Sequence, residues 1–386
     1  MISLVLYIDS SIVSELDKRD PTSEEEVFFA NIAIACQKGY CYLCGDFNSI
    51  DILSRRLSGI EGKIYSSIRE KHSEDGALLS LVPIVFIISF SNVLCNDTLP
   101  ECLKSNPDKC RILPISLAQG LDINQCCLLG ENLSDCKFYQ FIAEFYIKYR
   151  RIEGIGISFN SIPGGGNTIC DVLKNCVADK KMPTICIVDS DKKYGATKTY
   201  NKVKQGDTCI RACKMSEDLS KIQTLPPYTL HLLDIHEVEN LIPLNILESM
   251  AESNSPDIKF GVIMLKRISS IDNGEPALFY DLKKGIPYIS SNEDPKYLYW
   301  QDVLTRIGEK TAKIPRDKDT GNAIPTESRV FPPLSSNSLL ERAYEHMNKL
   351  QTATGQIFVE EYLFPYWESL GSMLFSWGCA RPPLRS

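Results

Sequence analysis

Short apolar runs alternate with segments of helical spacing over the first three quarters of the chain. Near the N-terminus, the strand-like runs LVLYID, YCYLCGD and IVFIISF are separated by helix-like segments such as SEEEVFFANIAIACQ and SIDILSRRL. Runs of this kind are typical of buried parallel strands, and their alternation with helices is typical of α/β folds. The pattern predicts a small α/β domain over residues 1–118.

One apolar stretch, from Gly76 to Cys95, has no charged residue and has the length of a membrane span. Pro83 divides it, several Ser and Asn residues dilute it, and its second half is rich in β-branched residues. These features favour the end of a helix followed by a buried strand over a membrane segment.

The strand-and-helix rhythm continues to about residue 290 and then changes. Residues 119–290 predict a parallel-sheet domain, and residues 291–386 predict a Pro-rich linker followed by a helical C-terminal segment. The aromatic tail is predicted to be either a helix that packs on the core or a docking face for a partner, and it contains Tyr362, Phe364, Tyr366 and Trp367.

Composition narrows the class of protein. The chain has 386 residues, 42 Lys plus Arg against 49 Asp plus Glu and a net charge of -7, so it lacks the basic character of a passive nucleic-acid coat. Its fifteen cysteines do not indicate a disulfide scaffold, because such scaffolds are short and secreted, and MISLVLYIDSS has no basic signal-peptide region. We expect a cytoplasmic protein with no membrane segment and with reduced, mostly buried cysteines, including the Cys41–Cys44 pair.

Acidic residues follow the apolar runs of the second region. The apolar run Cys126–Leu129 ends in Gly130-Glu131, and Asp135 falls in the first turn of the helix that follows. Ligands bind at the carboxyl ends of strands in open α/β sheets, so both acids are site candidates. A glycine turn, Gly164–Gly166, follows the next strand and would allow a phosphate to approach the backbone, although such turns are also common for structural reasons.

The Asp189-Ser190-Asp191 segment after Thr184–Val188 is a sharper signal. Acids two positions apart on a strand point the same way, and their oxygens suit Mg²⁺ or Mn²⁺, although a surface turn would have the same sequence. Further along the chain come Glu237 and Glu239 in HEVEN, and then Lys283 and Lys284 in FYDLKKGIP.

The order of these motifs resembles the TOPRIM domain of OLD-family nucleases and related phage-defence proteins. Glu131 and Asp135, the glycine turn, Asp189 and Asp191, and the Glu237-Val238-Glu239-Asn240 element match the family pattern in order, whereas Asn132 replaces the glycine expected after the first glutamate. The resemblance implies a parallel-sheet, Rossmann-like TOPRIM domain and a Mg²⁺- or Mn²⁺-dependent endonuclease that holds two ions. It also implies a nucleic-acid substrate, with DNA favoured over RNA, and a role in anti-phage defence.

The resemblance further implies roles for individual residues. Glu131, Asp135 and either Glu237 or Glu239 would hold one ion, and Asp189 with Asp191 the other. Lys283 or Lys284 would neutralise charge that develops during cleavage. The lysines that follow the Asp-x-Asp would guide the nucleic-acid backbone or form a solvated helix face, and they are Lys192, Lys193, Lys198, Lys202 and Lys204.

The chain contains no G-x-x-x-x-G-K-[ST] motif, so the ATPase half that many OLD proteins carry is not present in this sequence. We therefore expect a separate ATPase or sensor protein as a partner.

Three alternatives remain open from the sequence. The first is a degenerate TOPRIM fold that only binds a partner. The second is an Asp-x-Asp glycosyltransferase, which would not require the earlier and later acids. In the third, Asp9, Asp46 and Asp51 form a PIN-type nuclease site in the N-terminal region.

Overall fold

The chain folds into two compact units in a computed structural model. Unit 1 comprises Met1–Ile187, Cys213–His231 and Glu368–Ser386, and unit 2 comprises Val188–Ala212 and Leu232–Trp367. The division into 1–118, 119–290 and 291–386 remains a prediction. The structure describes residues 4–93, 99–118, 125–195, 207–222, 226–251, 256–287, 295–308, 329–331, 338–354 and 356–383.

The strands of the described residues are short. They are β1 (Val5–Ile8), β2 (Tyr42–Gly45), β3 (Val85–Ser89), β4 (Cys110–Pro114), β5 (Cys126–Gly130), β6 (Gly156–Ile157), β7 (Phe159–Pro163), β8 (Thr184–Val188), β9 (Tyr228–Leu232), β10 (Ile286–Pro287), β11 (Arg329–Phe331) and β12 (Cys379–Ala380).

The α-helices range from single turns to about five turns. They are α1 (Ser11–Leu16), α2 (Ser23–Gln37), α3 (Phe47–Arg56), α4 (Gly59–Glu70), α5 (His72–Leu81), α6 (Glu101–Lys104), α7 (Ile115–Ala118), α8 (Leu133–Tyr149), α9 (Ile169–Lys174), α10 (Asp207–Ser220), α11 (Leu244–Ala251), α12 (Pro256–Ser269), α13 (Pro295–Arg306), α14 (Leu339–Thr354) and α15 (Phe364–Gly378).

Unit 1 contains two four-stranded sheets. The first has the order β2-β1-β3-β4 with every neighbouring pair parallel, and the second has the order β7-β5-β8-β9 with β5 parallel to both β7 and β8. The strands β1, β2, β3, β5 and β8 are buried along their whole length, as continuous apolar runs in parallel sheets should be. The predicted α/β class with parallel sheets is confirmed.

A single apolar core joins the first sheet of unit 1 to helices far away in sequence. Val5 and Ile87 from the sheet share this core with Tyr146 from α8 and with Phe375 from α15. The uncharged stretch beginning at Gly76 forms the end of α5 and then the buried strand β3, as predicted. No helix in the described parts of the chain is long and apolar enough to cross a membrane.

The cysteines contribute to these cores as small apolar residues. Every cysteine that the structure describes is a free thiol, and all except Cys102 and Cys213 are buried. Cys41 and Cys44 are completely buried, which confirms that this pair is part of the packing.

The three acids of the PIN-type alternative have structural partners in unit 1. Asp9 accepts hydrogen bonds from the backbone N–H of Ser11 at 3.0 Å and from the Ser11 hydroxyl at 2.5 Å. Asp46 is the N-cap of α3 and accepts from the Ser49 N–H at 2.9 Å. Asp51 forms ion pairs with Arg55 and Arg69. Each of the three acids therefore has a hydrogen-bond or ion-pair partner within unit 1.

Unit 2 is largely helical. Helix α11 packs against α12 and α14, and β10 pairs antiparallel with β11. Two 3-10 helices, Val238–Leu241 and Asp272–Phe279, contact each other. Within this unit Trp367 is completely buried and its indole N–H donates to the carbonyl oxygen of Leu241 at 2.8 Å. Trp367 is therefore a core residue, and it does not belong to an exposed aromatic docking face.

The capping role of Asp46 generates a stability prediction. We expect Asp46→Ala to lower the free energy of unfolding by about 1 kcal/mol, because one N–H at the start of α3 loses its acceptor. Asp46→Asn should keep nearly full stability, because asparagine caps helices about as well as aspartate. Urea unfolding of the three proteins measures both effects. Equal destabilisation by the two substitutions would show that the negative charge of Asp46, and not its capping bond, is needed.

Candidate metal centre

The candidate site of unit 2 is built where two chain segments are tied together by backbone hydrogen bonds. The Leu233 N–H donates to the Val188 carbonyl at 3.0 Å, and the Asp191 N–H donates to the His236 carbonyl at 3.0 Å. The Ser190 hydroxyl, which is fully buried, donates to the Ile235 carbonyl. These bonds bring the Asp-x-Asp segment against the segment that carries Glu237.

Three side chains from these segments form a group that could hold a metal ion. One ligand atom from each of Asp191, His236 and Glu237 lies within 4.8 Å of the others. Among the described residues, no other group of three or more potential ligands has its ligand atoms this close together. His236 is fully buried, Glu237 is buried and Asp191 is half-buried.

The two aspartates of the Asp-x-Asp segment lie beyond the strand and have different contacts, unlike in the sequence prediction. Strand β8 ends at Val188, so neither acid lies on the strand, and Asp191 has a φ of 55°, in the left-handed region. Asp189 is buried, and its Oδ1 accepts a hydrogen bond from the Val238 N–H at 2.9 Å. The strand-alternation argument therefore does not apply here. Asp191 joins His236 and Glu237, while Asp189 fixes the backbone that follows Glu237.

The Glu237-Val238-Glu239-Asn240 element forms the N-terminus of a 3-10 helix. Glu237 is its N-cap residue, and the side-chain oxygen of Asn240 accepts from the Glu237 N–H at 3.1 Å. The Asn240 amide group donates to the carbonyl oxygens of Ala277 and Tyr280 at 3.0 and 2.8 Å. Asn240 is thus the residue that holds the two glutamates in place.

Lys283 neutralises part of the acidic cluster. Its ammonium nitrogen lies 2.8 Å from Glu239 Oε1 and 3.3 Å from Glu237 Oε2. Burial by itself lowers the pKa of Lys283, but the two glutamates outweigh this effect and raise it above its usual range. Lys284 is exposed, and its backbone N–H donates to Asp281 Oδ1 at 2.7 Å. Of the two predicted lysines, Lys283 is the one whose ammonium nitrogen pairs with Glu237 and Glu239.

His236 and Asp281 belong to the cluster but were not predicted as site residues. His236 Nε2 lies 3.5 Å from Asp281 Oδ2, 3.6 Å from Glu237 Oε1 and 3.3 Å from Lys193 Nζ. Burial raises the pKa of Asp281, but His236, the Lys284 N–H and Lys193 outweigh it and hold the pKa well below its usual range. Their positions in the sequence could have indicated these residues, since His236 directly precedes Glu237 and Asp281 lies two positions before Lys283.

Glu131 and Asp135 lie in unit 1, with local roles of their own. Asp135 is buried in the first turn of α8, and its Oδ2 accepts from the Asn132 N–H at 2.8 Å. The carbonyl oxygen of half-buried Glu131 accepts from the Gly165 N–H at 2.8 Å. The first acidic element and the glycine turn are therefore neighbours, because each follows one of two adjacent parallel strands.

The glycine turn itself is shaped by close packing. A Cβ atom on Gly164 would lie 2.5 Å from the side chain of Ile169, and Gly165 has a φ of 69°. Either feature is sufficient to require glycine, so the turn does not by itself indicate phosphate binding.

The two lysines after the Asp-x-Asp that the structure describes both form ion pairs. Lys192 forms an ion pair with exposed Asp234 at 2.5 Å, and Lys193 lies 3.7 Å from Asp281. The other three lysines, Lys198, Lys202 and Lys204, lie outside the described residues.

The chemistry of the cluster fits a divalent cation. Glu237 Oε2 and Glu239 Oε2 are buried and have no hydrogen-bond donor within the described parts of the chain, and the Lys283 ammonium lies near the first of them without hydrogen-bonding geometry. His236 Nδ1 is likewise buried without a partner there. Buried carboxylate oxygens and imidazole nitrogens that lack partners are costly unless a cation or a donor occupies them.

No family model, curated protein or solved structure matches this chain.

The three-residue group generates a metal-binding prediction. We expect Mn²⁺ to bind unit 2 more tightly than Mg²⁺, because an imidazole accompanies the carboxylates. Asp191→Asn and Glu237→Gln should each weaken Mn²⁺ binding by about tenfold or more, since each removes a charged ligand. Titration calorimetry measures this, with Asp234→Asn, an exposed acid paired with Lys192, as the control. Unchanged affinity in both site variants would exclude this group as the metal centre.

The position of Lys283 generates a second prediction. Lys283→Met should destabilise the metal-free protein by roughly 1–3 kcal/mol, because two buried glutamates then repel each other and the lysine is about one-third exposed. Saturating Mn²⁺ should recover most of this loss, because the cation replaces the missing positive charge. Thermal unfolding with Mn²⁺ and with EDTA measures both effects. Lys284→Met, on an exposed neighbour, serves as the control, and an equal loss in the two variants would contradict the assignment.

Proposed function

We propose that this chain is a metal-dependent nuclease that hydrolyses the phosphodiester bonds of DNA or RNA, and that unit 2 provides its cation site. The supporting observation is the buried group of Asp191, His236 and Glu237, set beside Glu239 and balanced only in part by Lys283. A site that is rich in carboxylates and contains a lysine can hold a cation and also meet an anionic phosphate.

Different residues of the cluster would bind the metal ion and stabilise the negative charge of the phosphate during phosphodiester cleavage. Asp191, His236 and Glu237 would hold a divalent ion, which supplies charge neutralisation at the phosphoryl oxygens. Lys283 is positioned to stabilise negative charge on the phosphate, as lysines do at other phosphate sites. Burial raises the pKa of Glu239, although Lys283 opposes the shift. Glu239 forms an ion pair with Lys283 and would hold its ammonium group beside the phosphate.

The resemblance to TOPRIM nucleases of the OLD type extends the proposal. It supports two Mg²⁺ or Mn²⁺ ions, a DNA substrate in preference to RNA, and an effector role in anti-phage defence. On the same basis, Glu131 and Asp135 are proposed members of the catalytic set. A separate ATPase or sensor protein is the proposed partner, because this sequence has no P-loop of its own.

Cleavage assays test the proposal directly. Purified protein is incubated with plasmid, single-stranded DNA and tRNA in Mg²⁺ or Mn²⁺, and then with EDTA. We expect metal-dependent cleavage that falls by at least about 100-fold in Asp191→Ala and Asp189→Ala, because the first removes a ligand and the second releases the backbone beside Glu237. Asp234→Asn should cleave at the normal rate.

The same assay separates the alternatives. Glu131→Gln keeps the shape of the side chain but loses its charge. Normal cleavage by this variant would show that Glu131 is not a catalytic residue and that the residues of unit 2 are sufficient. Metal binding without cleavage of any of the three substrates would favour the partner-binding alternative. Metal-dependent hydrolysis of nucleotide sugars, with no cleavage of nucleic acid, would favour the glycosyltransferase.

A further inference from the structure

Unit 1 contains a cavity of about 520 Å³ that has no part in the metal centre. Its wall is formed by helix α5, by the turn after α8 and by the residues that follow β12. This volume lies within the range of about 300–1,000 Å³ that is usual for small-molecule sites.

The cavity is basic although the chain as a whole is acidic. Four basic residues line it, Lys71, Arg150, Arg151 and Arg381, against the two acids Glu74 and Glu153. Arg150 forms an ion pair with Glu368 at 2.5 Å, and Arg381 pairs with Asp75 at 3.0 Å. Within the described parts of the chain, the exposed residues Lys71 and Arg151 have no ion-pair partner. The cavity can therefore accept a negatively charged ligand.

A polar array of Tyr42, Asp75 and Arg381 contributes Tyr42 and Arg381 to the wall of the same cavity. The Tyr42 hydroxyl donates to Asp75 Oδ1 at 2.6 Å, and an Arg381 N–H donates to the same oxygen at 3.0 Å. The Arg381 guanidinium also lies over the Tyr42 ring, 4.4 Å from its centre. Asp75 Oδ2 and Arg381 Nε are buried and have no hydrogen-bond partner among the described residues. These two atoms are shielded from solvent, so the array holds the Arg381 guanidinium in place and does not offer them to a ligand.

The backbone at Arg151 is the third observation. Arg151 has a φ of 54° directly after the C-terminal end of α8, a position that usually carries glycine. Glycine would be favoured there for stability alone. An arginine at this position is explained if its side chain is needed at the cavity that it lines.

We propose that this cavity binds a nucleotide. Lys71 and Arg151 would contact the phosphates, and the planar base would lie against the apolar wall that includes Leu78 and Ile152. Charge, size and the apolar wall together favour this ligand over inorganic phosphate, which would leave the apolar wall empty.

Titration calorimetry on the full chain tests the proposal, with EDTA present so that the metal centre does not contribute. The probes are ATP, GTP, inorganic triphosphate, adenosine and guanosine. We expect ATP or GTP to bind at least tenfold more tightly than inorganic triphosphate and than either nucleoside. Arg151→Gly and Lys71→Gln should each weaken nucleotide binding about tenfold, because each removes one charge-assisted contact. Lys63→Gln, at an exposed position of α4, should have no effect.

Arg151→Gly also separates loss of binding from loss of folding. Glycine suits the left-handed backbone at this position, so the midpoint of thermal unfolding should stay constant or rise while nucleotide binding weakens. Three results would overturn the proposal: no binding of ATP or GTP at about 1 mM, binding of inorganic triphosphate as tight as that of the nucleotides, or normal nucleotide binding in both variants. None of these results bears on nuclease activity, so the two proposals succeed or fail separately.

Discussion

The cost of burying like charges governs the arrangement of unit 2. Asp189, Glu237, Glu239 and Asp281 are all buried, and a carboxylate loses favourable hydration when it leaves water. The structure offsets this cost with Lys283 beside the two glutamates and with Lys193 and His236 beside Asp281. Two glutamate oxygens still lack hydrogen-bond donors among the residues that the structure describes. The cluster is therefore more negative than its internal partners can neutralise, which makes a bound cation its natural complement.

The site depends equally on hydrogen bonds that fix short, irregular segments. Asp189 orders the backbone at Val238, Asn240 ties the glutamate segment to Ala277 and Tyr280, and Trp367 holds Leu241. Regular strands and helices contribute little at this point, because β8 ends before the first aspartate. A 3-10 helix and a left-handed residue can place side chains closer together than strand geometry would allow, but only while these buried hydrogen bonds hold them.

The sequence was sufficient for the parts of the molecule that follow hydrophobic periodicity. Buried parallel strands such as β1, β3 and β5, and the assignment of the uncharged stretch after Gly76 to a helix and a strand, follow from the apolar pattern alone. Asp189, Asp191, Glu237 and Lys283 all lie in unit 2. The roles within the group could not be predicted, since they depend on the end of β8 and on the φ of Asp191.

His236 shows a second limit of prediction from sequence. A single histidine in an apolar stretch is more often a packed core residue than a ligand, and nothing in LHLLDIHEVEN distinguishes the two. Its proximity to Asp281 arises because the His236 N–H donates to the carbonyl of Leu278, a contact across about forty residues. Such long-range backbone contacts leave no periodic signature in the sequence.

The two proposed sites follow from opposite solutions to the same electrostatic problem. In unit 1, Asp75 is buried with one arginine and one tyrosine, so that its charge is matched within the array, and the surrounding cavity carries an excess of basic residues. In unit 2, the buried carboxylates outnumber the cations that contact them. An excess of positive charge attracts anions, and an excess of buried carboxylates attracts metal ions. Because these demands are chemically distinct, each site can be occupied without competition from the ligand of the other.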